Sequence, residues 1–211
     1  VTVLPVNRVS LDPATLGKYH PSTTRWVLMQ SFLKRVGHNF NKVLLADVRD
    51  TGFQSDPFSI VSEAGLWTFS ESVNIMGDDW NTGWIRSCFG QGKVDELASK
   101  EIICSGISLG TTMHVQSYLD AMAKEINGPN FAACERNGVD QGIHNVLVHQ
   151  GSLPGLHVLD QYNGPVAHLQ SKVGMSFNND VVINSRNERA VIVHQYDRDV
   201  FVMRKFFRQF V

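Results

Sequence analysis

Apolar residues fall in short runs, and their spacing alternates between two periods along the chain. Val43 to Val48 reads as a continuous apolar strand, of the kind covered on both faces in the middle of a sheet. Before it, Trp26, Val27, Phe32, Leu33 and Val36 recur at helical spacing. This predicts a helix over Thr24 to Val36, with Arg25 in its first turn and Gly37 as its stop. Met113, Val115, Tyr118, Leu119, Met122 and Ile126 share one face of a second predicted helix. The segment NTGWIRSCFGQGKVDELASK reads as helix broken by glycines, and DQGIHNVLVHQ as a short helix beginning at Asp140. Strands are expected at Val1 to Val6, Gly65 to Ser70, EIICSGISLGT, LHVLDQ, VVINS and AVIVHQY. LDPATLGKYHPSTT is loop-like, with two prolines among small polar residues. The closing VFVMRKFFRQFV, basic and aromatic, reads as a packed helix or a linker. Strands alternating with helices give an α/β fold with a largely parallel or mixed sheet.

Composition narrows the function classes. A chain of 211 residues with 43% hydrophobic content is expected to form one domain, 1–211, with enough core to need no covalent staples. The first residue is Val1 rather than Met, so a processed chain or a piece excised from a longer one is expected. A net charge of -1 lacks the basic footprint of a nucleic-acid binder. No apolar run reaches the roughly 20 residues of a membrane span, and no signal-peptide pattern is found. Cys88, Cys104 and Cys134 are odd in number and widely spaced, so they read as reduced thiols in a cytoplasmic, non-oxidising compartment. They are not spaced as zinc ligands.

The chemistry concentrates after the strongest strand. In open α/β sheets ligands bind beyond the carboxyl ends of strands, and there this chain places Asp47 and Asp50. Two carboxylates suit a hard divalent cation, Mg²⁺ or Mn²⁺, which keeps positions open for substrate phosphates. The alternative is a capped turn, with Arg49 pairing to a nearby carboxylate. Asp56 precedes Pro57 and reads as a turn residue.

The segment LLADVRDTGFQSDPF is similar to the metal-binding strand end of GT-A-fold glycosyltransferases, enzymes that use nucleotide-diphosphate sugars and carry Asp-x-Asp after a buried strand. TTRWVLMQSFL resembles their helix whose arginine, here Arg25, reaches the diphosphate-sugar. IICSGISLGT resembles the strand with a small-residue triplet, here Cys104-Ser105-Gly106. GVDQGIHN resembles the acidic-Gln pair beside the sugar, here Asp140 and Gln141, and VIVHQYDR the late strand whose histidine, here His194, completes the metal site. These segments run in order from residue 24 to 198, and chlorella-virus glycosyltransferases that modify capsid glycans are the members most resembled. The resemblance implies a GT-A-like, mostly parallel central sheet flanked by helices. It also implies a Mn²⁺ (or Mg²⁺) cofactor, a UDP-sugar donor and a glycan or glycoprotein acceptor. Asp140 and Gln141 would be catalytic, with a retaining outcome. Arg25, Asp47, Ser105, Gly106 and Arg198 would bind the donor, and Asp47, Asp50 and His194 the metal. The chain departs from the family motif at Arg49, which stands where the second acid is usual, and in having only 46 residues before Asp47, so the uridine pocket is expected to be reduced and floored by Val1 to Val6.

Each residue also has a plainer reading. His194 can be a satisfied core histidine, although a neutral imidazole suits Mn²⁺ better than Mg²⁺. Arg25 can be a solvated first-turn residue, where a cation opposes the helix dipole, or a planar clamp on a diphosphate. Asp140 can be a helix cap. Arg198 can pair with Asp199. Asp78 and Asp79 can belong to a solvated loop, or with Trp80 and Trp84 receive an acceptor sugar. His144 and His149 read as structural. Two rival functions stand beside glycosyl transfer: a carbohydrate-binding module with a structural cation, and a sugar nucleotidyltransferase, a class that usually opens with a glycine-rich basic loop.

Overall fold

The structure, a computed structural model, describes residues 14–178 and 180–209. The strand and uridine floor expected at Val1 to Val6 lie outside the described residues. In chain order come α1 (Pro21–Val36), β1 (Lys42–Ala46), β2 (Thr51–Phe53), β3 (Leu66–Asn74), α2 (Asp79–Phe89), α3 (Gln91–Leu97), β4 (Glu101–Thr111), α4 (Thr112–Ile126) and α5 (Val139–His149). After them run β5 (Leu156–Leu159), β6 (Val166–His168), β7 (Met175–Asn178), β8 (Val181–Asn184), β9 (Ile192–His194) and α6 (Val200–Gln209).

The main sheet has the order β1-β4-β3-β5. β4 runs antiparallel to both its neighbours, and only β3 and β5 form a parallel pair. The expectation of a mostly parallel central sheet is therefore corrected for the described residues. β1, β3 and β5 do point the same way, but β4 is threaded between β1 and β3 in the opposite direction. β4 runs straight into α4 and is buried at every interior position, which is why EIICSGISLGT is so apolar. Helices α1, α4 and α5 cover one face of the sheet: Trp26, Tyr118, Leu119, Met122 and Ile143 pack with Leu45, Leu66 and Ile103. Trp67, Phe69, Ile107 and Leu109 face Val166 and Ile192 of a second sheet, β2-β9-β6. Met113, expected on the core face of α4, is instead 71% exposed.

α1 begins three residues before the expected start. His20 accepts from the Ser22 N–H and Pro21 occupies the first turn, where its missing N–H costs nothing. Arg25 thus lies past the first turn, so the dipole argument against it does not apply. Cys88 and Cys134 are joined in a disulfide that ties α2 to the segment before α5, with Cα atoms 5.2 Å apart. The reading of three reduced thiols is corrected for this pair, because folding brings together positions separated by 46 residues. Cys104 is free and buried. No helix among the described residues is long and apolar enough to cross a membrane.

Two irregularities shape the middle of the sheet. Pairing between β3 and β4 shifts register between Thr68 and Ser70, and again between Ser70 and Asn74. On β4 this frees the stretch between Ile103 and Ser108 from the β3 ladder. On β3 it leaves Glu71 to Val73 as an irregular stretch, with Ser72 at φ 52, a left-handed conformation that a serine adopts at a cost. Irregular strands of this kind re-aim side chains.

Candidate functional site

β1 ends at Ala46, and the Asp47 N–H still donates to the Gly106 carbonyl at 2.9 Å. The turn to β2 then returns Asp50 to the same place, because β2 pairs with β9 and sets Thr51 opposite His194. The His194 ring, 2% exposed, points Nε2 at both acids: Asp47 Oδ2 and Asp50 Oδ1 each lie 3.7 Å away. That is too long for a hydrogen bond, and this buried nitrogen has no hydrogen-bond partner. The three donor atoms lie within 4.8 Å of one another. Donors about 2 Å from one cation stand roughly 3–4 Å apart, so these residues fit a divalent cation, and the imidazole favours Mn²⁺ over Mg²⁺. Burial pushes the Asp47 carboxyl up, but His194 and Arg25 outweigh it and hold Asp47 below the usual range. Asp50 is raised by burial against the attraction of His194, with Asp47 and Asp197 adding to the rise.

Asp47 and His194 line two hollows at once, and Asp50 lines the smaller of them. One is a cleft of about 550 Å³ lined by Arg25, Asp47, Ser105, Gly106, Asp140, Gln141, His194 and Arg198, with Trp80 and Trp84 also lining it. The other, about 280 Å³, lies against Asp47, Arg49, Asp50, His194 and Arg198. Expected donor, catalytic and metal residues from five separate segments therefore converge. Arg25 is held by two carboxylates, Asp47 and Asp140, the latter at 3.0 Å. Burial lowers the guanidinium's pKa, yet the two acids outweigh it and raise the value.

Asp140 is not a helix cap. Gly138 takes that position with φ 83, and a Cβ there would meet the Trp84 ring at 2.3 Å. The Asp140 carboxylate is buried and accepts from Arg25 and from Trp26 Nε1, each at 3.0 Å. Gln141 spends both ends of its amide on β4: its Oε1 accepts from the Ser105 N–H at 2.7 Å, and its Nε2 donates to the Ile103 carbonyl at 2.8 Å. Asn145, one turn on, accepts from the Ile103 N–H. These side chains replace the ladder bonds that β4 gives up where it leaves β3. His144 is fully buried against Tyr118, at 2.6 Å, away from the cleft lining. Burial lowers its pKa to about 3, so it is a neutral core residue.

At the opposite end of the cleft, Asp78 caps α2 by accepting from the Asn81 N–H. Trp80 is 72% exposed beside Trp84, ring centroids 5.9 Å apart, and is not anchored in the core. Asp79 is not part of the cleft lining. Arg198 faces Asp197 rather than Asp199, which Lys172 takes. Arg49 is largely exposed and sits between two carboxylates, Asp197 at 3.1 Å and Asp50 Oδ2 at 3.8 Å. Asp56 accepts from the Phe58 N–H and caps a turn, as expected.

Glu71 is the site residue that sequence reading missed. Its carboxyl lines the cleft at 8% exposure. Burial raises its pKa, opposed by a hydrogen bond from Cys104 and the attraction of His194, with Asp78 adding to the rise. The lone charged residue in the strand LWTFSESVN was the available signal. His168 was missed too. It is fully buried, and the parallel register of β6 and β9 sets it directly beside His194.

No family model matches the sequence, and no curated protein matches it. Among solved structures the chain is similar to one described as a glycosyltransferase involved in the glycosylation of the major capsid of PBCV-1. The identity is 12% and the TM-score 0.48, over 100% of this chain and 82% of that one.

Proposed function

We propose that this chain is a Mn²⁺-dependent glycosyltransferase that moves a sugar from a UDP-sugar donor to a glycan acceptor, with a retaining outcome. The observation that carries the reading is the orphaned, buried Nε2 of His194 aimed at Asp47 and Asp50, on the wall shared by two hollows. A ligand that reaches into both hollows and offers oxygen donors at their seam fits this layout, and a nucleoside diphosphate sugar is such a ligand. A cation held by Asp47, Asp50 and His194 would supply Lewis-acid stabilisation of the departing diphosphate. Arg198, at the rim of both hollows, is placed to offset phosphate charge. Arg25 would turn one arm from Asp47 to the donor. Ser105 and Gly106 would let the sugar approach the strand backbone. Asp140 would face the oxocarbenium-like charge of the transition state. Gln141 would hold β4 in place beneath the sugar. Trp80, with Asp78 behind it, would offer the acceptor a stacking face.

A second reading, sugar binding without transfer, draws on one observation: both ends of the Arg25 guanidinium are already engaged by carboxylates, as in a fixed structural network. Release of UDP from a panel of UDP-sugars separates the two. The expected result is release with Mn²⁺, loss of release in chelator, and loss in Asp50→Asn. Sugar binding without UDP release from any donor, at any Mn²⁺ concentration, contradicts transfer.

A further inference from the structure

For His194 to offer Nε2 to a cation, that nitrogen must carry a lone pair, so the ring hydrogen must sit on Nδ1. A hydrogen on Nδ1 in a fully buried ring needs an acceptor. Two atoms are in range. His168 Nδ1 lies 3.1 Å from His194 Nδ1, and Cys104 Sγ lies 3.5 Å from it. The thiol is a poor acceptor. Its hydrogen is also turned toward Glu71.

His168 is built for the role. A neutral imidazole has one nitrogen lone pair to offer, and Nδ1 is the His168 ring atom that faces His194. The parallel β6–β9 register places it level with His194, and the two rings meet edge to face, centroids 5.3 Å apart. Its backbone is pinned as well: its N–H donates to Gln161 Oε1 at 2.9 Å. The hydrogen on the remaining His168 nitrogen, Nε2, then finds no hydrogen-bond partner. A buried unsatisfied donor costs stability, so this tautomer is held only if the Nδ1 contact with His194 offsets that cost.

We infer that His168 is a positioning residue for the metal centre: it accepts the His194 Nδ1 hydrogen and so holds His194 in the tautomer whose Nε2 can bind a divalent cation. The inference rests on the metal centre proposed above. Partners that fix a ligating histidine in this way typically contribute 10–100-fold to metal affinity.

The test is Mn²⁺ affinity, measured by calorimetry on wild type, His168→Asn and His168→Leu, with thermal unfolding in chelator as the control for folding. An asparagine Oδ1 sits where His168 Nδ1 sits and accepts the same hydrogen, whereas leucine cannot. Near-wild-type affinity in His168→Asn with at least about 10-fold weaker binding in His168→Leu is the expected result. If His168→Leu does not fold, His168→Gln takes its place, since its amide extends beyond the Nδ1 position. Equal affinity in all variants overturns the inference, and so does an equal loss in His168→Asn and in the leucine or glutamine variant, which would mark a packing role alone. A wild-type protein that binds no Mn²⁺ refutes the metal centre itself, and this inference with it.

Discussion

A methyl group on Gly106 would sit 2.3 Å from His194 Cε1, 2.6 Å from its Nε2 and 2.9 Å from Asp47 Oδ2. The absence of a side chain there is what lets histidine and acid converge over β4. Gly106→Ala is therefore expected to cost about 1–3 kcal/mol of stability through overpacking and to weaken Mn²⁺ binding, read by thermal unfolding and calorimetry; wild-type affinity would contradict this. Glu71 carries a different kind of expectation. Its folded pKa is raised, so at low pH both folded and unfolded states hold the proton and no penalty arises; as pH rises past the unfolded value, the buried carboxyl resists ionisation and stability falls. Glu71→Gln should raise Tm at about pH 8, with the gain shrinking toward about pH 4. An unchanged or lowered Tm at the higher pH would show that Glu71 is better compensated than its surroundings indicate. Asp47, Asp50, Arg25 and Asp140 were legible in the sequence as acids and a base near predicted strand and helix ends. Glu71 and His168 were not, since their placement depends on a register shift and a strand pairing that no local pattern encodes.

Elements were legible where periodicity was long and unmixed. α4, with Val115, Tyr118, Leu119, Met122 and Ile126 on one buried face, and β4, buried at every interior position, matched their patterns. β2, β6 and β7 are only three or four residues long and escaped notice. Two of them, β2 and β6, are the strands that set Asp50 and His168 beside His194. Strand direction was likewise illegible, because an apolar run does not say which way it is threaded: β4 reads like a parallel core strand yet runs against both neighbours. The disulfide lies at this scale too. It ties α2, which carries Trp80 in its first turn and Trp84 at its middle, to the segment leading into α5. Closing a loop of this length contributes about 2–4 kcal/mol, so reductant should lower Tm by roughly 5–15 °C. No change on reduction would mean that the helices are held there by packing alone.

At the scale of the whole molecule, one sheet supplies the floor, helices on one face deliver Arg25, Asp140 and Gln141, and the second sheet on the other face delivers His194. In the cation triad Asp47 and Asp50 of the β1–β2 turn meet His194 at the end of β9, and Asp47 and His194 line both hollows. The claim that follows is that nucleotide and cation bind together. Calorimetric titration of UDP, with and without Mn²⁺, tests it most directly. The expected result is UDP binding in Mn²⁺ that weakens by about 10-fold or more in chelator, a coupling of at least about 1.4 kcal/mol. UDP binding that is absent in both conditions, or equally strong in both, would contradict it.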